Sequence, residues 1–121
     1  MSHKTIFQIF WCFALIAYSA IIFYLSSQTL QISGPTFLHQ DKLFHATAYG
    51  LLAYFALRVS SIFSNNIWSL FWAWLYAVVY GATDEWHQSF VPGRYADIWD
   101  WVADGVGATV VLVIIYILRR R

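Results

Sequence analysis

Apolar residues fill four stretches of this chain, separated by three polar interruptions. The first stretch runs from Ile6 to Leu25, about 20 residues, enough for a helix to cross a ~30 Å hydrocarbon core at ~1.5 Å per residue. His3 and Lys4 precede it, and Ala17-Tyr18-Ser19 offers small residues at a spacing that suits signal-peptide cleavage. The apolar run continues past that point through Ile21, Ile22, Phe23 and Leu25, so the pattern predicts a retained helix over about 6–25. Ser26 to Gln40 reads as a polar connector, in which Gly34-Pro35 blocks helix continuation. A second helix is expected over about 42–59, with Ser60 to Asn66 as a polar reversing turn. A third starts at Ile67 and is placed over 67–89, with a stop at Thr83 as the alternative. Val91-Pro92-Gly93-Arg94 marks the next turn, and the fourth helix covers about 98–118. The expected fold class is therefore all-α, a four-helix transmembrane bundle forming a single domain over 1–121.

Composition supports lipid as the solvent. The chain is 60% hydrophobic and only 11% charged, against about 25% charged residues in an ordinary soluble domain. A net charge of +1 argues against nucleic acid as a partner, since such proteins carry a strong basic excess. The single cysteine, Cys12, excludes an intrachain disulfide and a cysteine-clustered zinc site, and its apolar surroundings suggest an inert packing residue.

Charge also suggests an orientation. Four crossings place both termini and the 60–66 turn on one side, with Lys4, Arg58, Arg119, Arg120 and Arg121; Lys42 and Arg94 fall on the other. The positive-inside rule then makes both termini cytoplasmic. The acids were not needed for that assignment, yet Asp41, Asp84, Glu85, Asp97, Asp100 and Asp104 all fall on the outer side, with His39, His45 and His87. Trp86, Trp99 and Trp101 are placed to anchor the outer interface, and Trp68 and Trp72 the inner one.

Three groups of residues could carry chemistry. Asp41 and His45 lie four apart on the second helix, with Tyr49 one turn deeper and Lys42 beside them. As a purely structural feature Asp41 would complement the helix dipole and Lys42 would snorkel, but an imidazole inside an apolar helix wants a polar partner. Asp84 and Gln88 share one face of the third helix, while Glu85 lies on the adjoining one. Asp97, Asp100 and Asp104 form a stripe on the fourth, with Asp104 the deepest; alone, it could simply hydrogen-bond a neighbouring helix near Gly105 and Gly107. Ionisable groups brought to one depth by three helices normally face the bundle interior and pair. Arg94 is the expected counter-ion for Asp84 or Asp100.

The segment D-K-L-F-H-A-T-A-Y-G-L-L, followed by D-E-W-H-Q-S-F-V-P-G-R-Y-A-D-I-W-D-W-V-A-D-G-V-G-A, resembles the VanZ-like membrane protein family. The positions that match its pattern are Lys42, His45, Tyr49, Asp84, Glu85, Gln88, Phe90, Pro92, Arg94, Asp100, Asp104 and Gly107. Asp104 stands where many relatives carry Asn, and Val111 where a further glycine is common; His87 and Asp97 lie outside the pattern. The family is named for an accessory protein of teicoplanin resistance, so the resemblance implies a protein of the bacterial cytoplasmic membrane with a role related to the cell envelope.

The leading expectation is an accessory or ligand-binding protein whose outward polar site takes an anionic ligand, such as a lipid-linked envelope precursor. Lys42 and Arg94 would supply the positive charge, and His45, Gln88 and Tyr49 would orient the ligand. The alternative is a membrane-embedded hydrolase or transferase, with Asp84 or Glu85 as general base partnered by His45. No cofactor is expected, apart from a divalent metal in one variant of that alternative, held by His45, Asp84, Glu85 and Asp100. No H-E-x-x-H or G-x-S-x-G motif is present to sharpen a hydrolase reading. The third reading is structural: the polar groups lock the helices together.

Overall fold

The computed structural model describes residues 1–29 and 37–121. They form four helices: α1 (His3–Ser26), α2 (Gln40–Phe63), α3 (Ile67–Gln88) and α4 (Ile98–Arg119). Gly34-Pro35, the expected break in the first connector, lies outside the described residues. Each helix start has a local cause, except that of α2. Ser2, Asn66 and Asp97 accept hydrogen bonds from the backbone N–H groups of Thr5, Trp68 and Trp99, the usual N-cap arrangement. α2 instead begins after His39 in the left-handed conformation, with no side-chain cap. Asp41 sits in the first turn there, where a negative charge suits the helix dipole.

Two boundaries differ from the sequence expectation. α2 does not stop at Val59 but continues to Phe63, leaving Ser64, Asn65 and Asn66 as the connection. Ser60 does not break the helix because its hydroxyl donates to the Leu57 and Ser69 carbonyls, which satisfies it in an apolar setting and ties α2 to α3. α3 runs past Thr83 to Gln88, which puts Asp84 and Glu85 on the helix itself, and both are buried.

The interior is made of small residues. Ala53, Ala56, Ala73, Ala77 and Ala108 are buried, whereas Phe13, Ile16, Phe44, Trp68, Trp72, Trp86 and many other large apolar side chains point outward. That distribution suits lipid, where helices associate by close backbone approach and large apolar groups need no burial. α1, α2 and α4 are each long and apolar enough to cross a membrane, so the chain is a multi-pass membrane protein. α3 is of similar length, but it carries four tryptophans, two tyrosines and a polar end, which lower its apolarity. Cys12, expected as a packing residue, instead lies on the exposed side of α1.

α2 and α4 make the most extensive helix contact. A Cβ on Gly107 would overlap the Ala46 backbone, and one on Gly50 would meet Val111 and the Gly107 carbonyl. The glycine missing at position 111 is therefore answered by Gly50 on the facing helix. Gly105, the other small residue expected at the contact, faces open space with only Val78 at 3.9 Å from an added Cβ. α1 packs on α2 and α3, where Tyr18 donates to the Ala48 carbonyl and Ser19 pairs with Tyr76.

Candidate functional site

The α2–α4 contact sets the geometry of the acidic end. Lys42, near the start of α2, donates to Asp41 at 2.7 Å, Asp97 at 2.8 Å and Asp100 at 2.6 Å. Three carboxylates thus surround one ammonium at the rim of the bundle. Asp97 also caps α4, and the Lys42 ammonium holds its carboxyl below the usual carboxylate range. The acids at 97 and 100 were expected on one stripe; their common partner is Lys42, and not Arg94.

One turn deeper, His45 reaches the same stripe. Its Nδ1 lies 2.8 Å from Asp104 Oδ1, and its Nε2 lies 3.6 Å from Asp100 Oδ2. Asp104 is completely buried, with its second oxygen against Gly81, where an added Cβ would come within 2.8 Å of it. Trp101 closes this contact, donating to the Val78 carbonyl across the α3–α4 seam. It packs between the two helices and is partly exposed, whereas Trp86 and Trp99 are exposed.

α3 completes the cluster. Glu85 Oε2 accepts from the Asp97 backbone N–H at 2.9 Å, which fixes the side chain across the seam. Gln88 donates weakly to Asp84 Oδ2 at 3.3 Å. Glu85 Oε1, Asp84 Oδ1, Asp104 Oδ2 and the Tyr49 hydroxyl are buried without a hydrogen-bond partner among the described residues. Such groups cost free energy in an apolar setting unless a proton, cation, water or ligand satisfies them. His45, Glu85 and Asp104 each offer a ligand atom, all within 4.8 Å of one another. The residues that could hold a metal are thus His45, Glu85 and Asp104. Asp84 and Asp100, expected in the ligand set, fall outside this group, and Asp104 joins it because the approach of α2 to α4 brings it to His45.

Arg94 does not pair with Asp84 or Asp100. Its Nε and Nη2 make long hydrogen bonds of 3.3 and 3.4 Å to the Ser26 and Leu25 carbonyls at the end of α1. It also lines a recess of about 130 Å³, room for about four water molecules at ~30 Å³ each. His45, Tyr49, Asp84 and Gln88 form the polar wall of this recess, and Ile22, Leu25, Phe44 and Ala48 the apolar one. The described residues place no carboxylate of another chain element within ion-pair distance of Arg94, so it is the recess's cation.

The sequence-expected positions thus fall into two neighbouring groups. Lys42, Asp100 and Asp104 hold the α2–α4 side, while Tyr49, Asp84, Gln88 and Arg94 surround the recess, and His45 belongs to both. Residues 7–119 match the model of the VanZ/LLP1 family. The chain belongs to the VanZ/LLP1 family. Searches of curated proteins and of solved structures return no match. Asp97 and His87 were ranked low because the family pattern omits them, yet Asp97 closes the Lys42 cluster. His87 meets Ser27 at 2.9 Å and stacks on Phe23, joining α3 to the end of α1. Its position one helical turn from Thr83 and Asp84 gave no sign of a partner on α1.

Proposed function

We propose that this VanZ/LLP1-family protein crosses the bacterial cytoplasmic membrane four times, with both termini in the cytoplasm. Its acid-bearing end then faces outward and binds the anionic headgroup of a lipid-linked envelope ligand. The observation that carries this reading is the recess, which Arg94 lines together with both polar and apolar side chains. Arg94 supplies the charge, because Lys42 is surrounded by three carboxylates that would repel an anion, whereas Asp84 is the one carboxylate among the described residues that line the recess. Guanidinium groups favour phosphate and carboxylate in bidentate geometry, and most of the Arg94 donors remain available. Gln88 and His45 offer further polar contacts, while Ile22, Leu25 and Phe44 suit the first carbons of a lipid chain. The positive-inside rule supports the orientation, with five cations at the other end.

The test is binding of a prenyl phosphate and of the matching neutral prenol to protein in nanodiscs. The phosphate is expected to bind at least about ten-fold more tightly, the equivalent of ~1.4 kcal/mol. Arg94→Gln keeps a polar side chain and should abolish that preference. An unchanged preference in Arg94→Gln rejects the reading.

A second reading, a membrane-embedded hydrolase or transferase, is favoured by the approach of His45, Glu85 and Asp104 to within 4.8 Å. Mixed imidazole and carboxylate ligands suit zinc or manganese, and two carboxylates would balance a divalent charge in a low-dielectric site. Such an ion would supply an activated water or polarise a phosphoryl oxygen. His45, Glu85 and Asp104 would hold it, with Asp97's backbone N–H orienting Glu85. Protein equilibrated with zinc or manganese should retain about one ion per chain, and Glu85→Gln should lose it. Absence of retained ion in the folded wild-type protein removes this reading and leaves the first untouched.

A further inference from the structure

We propose that the opposite end of the bundle is a second site, which takes the phosphate-bearing headgroup of an anionic phospholipid. A cavity of about 660 Å³ opens there among all four helices, within the size range of small-molecule sites. Lys4, Arg58, Arg119 and Arg120 line it, and no acidic residue does. All six acids of the chain lie at the other end, so nothing nearby neutralises these cations in the way the aspartates neutralise Lys42. None of the four makes a salt bridge among the described residues.

The arginines are held by aromatic rings. The Arg58 guanidinium lies 4.5 Å from the Trp11 ring centroid and 5.3 Å from that of Phe7, and Arg120 lies 4.7 Å from that of Tyr116. Stacking covers the faces of a guanidinium but leaves its N–H edge free for oxygen acceptors. A pre-positioned edge of this kind is suited to phosphate.

Two residues of the cavity wall carry a buried polar atom without a partner. Trp11 Nε1 and Ser61 Oγ are buried without a hydrogen bond among the described residues, and both residues line the cavity. An indole N–H can only donate, so it is satisfied by an acceptor and not by another cation. The donors that the cavity itself presents are the guanidinium edges of its arginines, which select an anion rich in oxygen.

The walls argue for a lipid headgroup over a soluble anion. Phe7, Ile62, Ile67 and Leu70 form apolar surface beside the charges. The cavity also sits at the ends of helices apolar enough to span a bilayer, at the depth where headgroups lie. Basic pockets between helices on the cytoplasmic side are recognised sites for anionic headgroups. Free phosphate would meet the same cations but leave the apolar walls unfilled.

The proposal is tested on the whole chain in a neutral detergent, titrated with short-chain phosphatidylglycerol, short-chain phosphatidylcholine and inorganic phosphate. Arg119 and Arg120 are exposed, so the double variant Arg119→Gln/Arg120→Gln should fold, and Arg58→Gln is measured beside it. Phosphatidylglycerol is expected to bind at least about ten-fold more tightly than phosphatidylcholine and to weaken as salt is raised. Each lost cation should cost roughly five-fold in affinity. The titrations are repeated in an Arg94→Gln background, which removes the cation of the outward recess, so that the binding read there belongs to this cavity and failure here is distinct from failure at the recess. Equal binding of the two lipids, or undiminished binding by the double variant, overturns the proposal. Inorganic phosphate binding as tightly as phosphatidylglycerol overturns the lipid source and leaves a soluble-anion site.

Discussion

The two ends of this bundle handle charge in opposite ways. At the acidic end Lys42 meets three aspartates and His45 meets Asp104, so that these two groups find their partners within the protein and much of the cluster is buried. At the basic end Arg58 and Arg120 lean on aromatic rings, and the cavity they share contains no carboxylate. The difference teaches how a small membrane protein separates two tasks. A buried charge must be paired, because the surrounding medium cannot solvate it. A charge at the rim of an open cavity keeps access to water and can wait for an external anion. Substitutions in the paired acidic cluster should therefore affect folding first, and those at Arg94 or at the basic end should affect binding first.

The largest effect should come where the acidic end is assembled. Gly107→Leu would drive a side chain into the Ala46 backbone, at an expected cost of about 3 kcal/mol or more. The folded yield in detergent should collapse. Gly105→Leu, which faces open space, should fold normally and serves as the control; equal damage by both would contradict the α2–α4 contact described here.

Asp104→Leu comes next. It leaves the His45 Nδ1 without its buried partner, with an expected loss of about 1–3 kcal/mol, read as a lower melting temperature. Asp104→Asn keeps an acceptor, so it should retain most of the stability. A melting temperature in Asp104→Asn as low as that of Asp104→Leu would mean that the negative charge, and not the hydrogen bond, is required.

Lys42→Met should cost about 1–2 kcal/mol, because the ammonium is only partly exposed and Asp100 loses its counter-ion. In an Asp100→Asn background that cost should shrink, whereas the effect of Arg94→Gln should not change. Coupling of Arg94 to Asp100 in this cycle would restore the pairing expected from sequence.

The smallest effect concerns acid. The Asp97 carboxyl is held below its ordinary value by Lys42, so the contribution of this pair is present above the ordinary value of about 3.9. It is lost as pH falls through the lower folded value. Asp97→Asn preserves the cap, so the melting-temperature difference between wild type and this variant should close as pH is lowered from 5 toward about 2.5. A difference that widens instead would contradict the sign of this shift.

Much of the fold was legible because apolar runs of transmembrane length leave few alternatives. The helix starts at Ile67 and Ile98 follow from Asn66 and Asp97 as caps. Asp97, Asp100 and Asp104 share a face because of their spacing, and Lys42 and His45 meet that face. What spacing does not contain is the rotation of one helix against another. Spacing alone therefore points Arg94 at Asp84 or Asp100, although Gly93, with its positive φ of 79°, turns the chain toward α1. Ser60 and Ser61 were read as a turn because hydroxyls often mark one, but Ser60 finds its acceptors within and beside α2. The swap of Asp104 for Asp84 and Asp100 in the candidate metal set has the same origin, since depth along α4 is visible in sequence and approach between helices is not.

The central claim is that Arg94, freed by the sequestering of Lys42, is the cation that gives the outward recess its ligand. The most direct measurement is the affinity ratio of a prenyl phosphate to its neutral prenol in wild type, Arg94→Gln and Lys42→Gln, each carrying Arg119→Gln/Arg120→Gln to weaken the basic cavity and each confirmed folded by its melting curve. The account predicts a ratio of at least about ten in the wild type, equivalent to ~1.4 kcal/mol. It should persist in Lys42→Gln and fall to near unity in Arg94→Gln. A ratio that survives in Arg94→Gln but vanishes in Lys42→Gln would contradict the account.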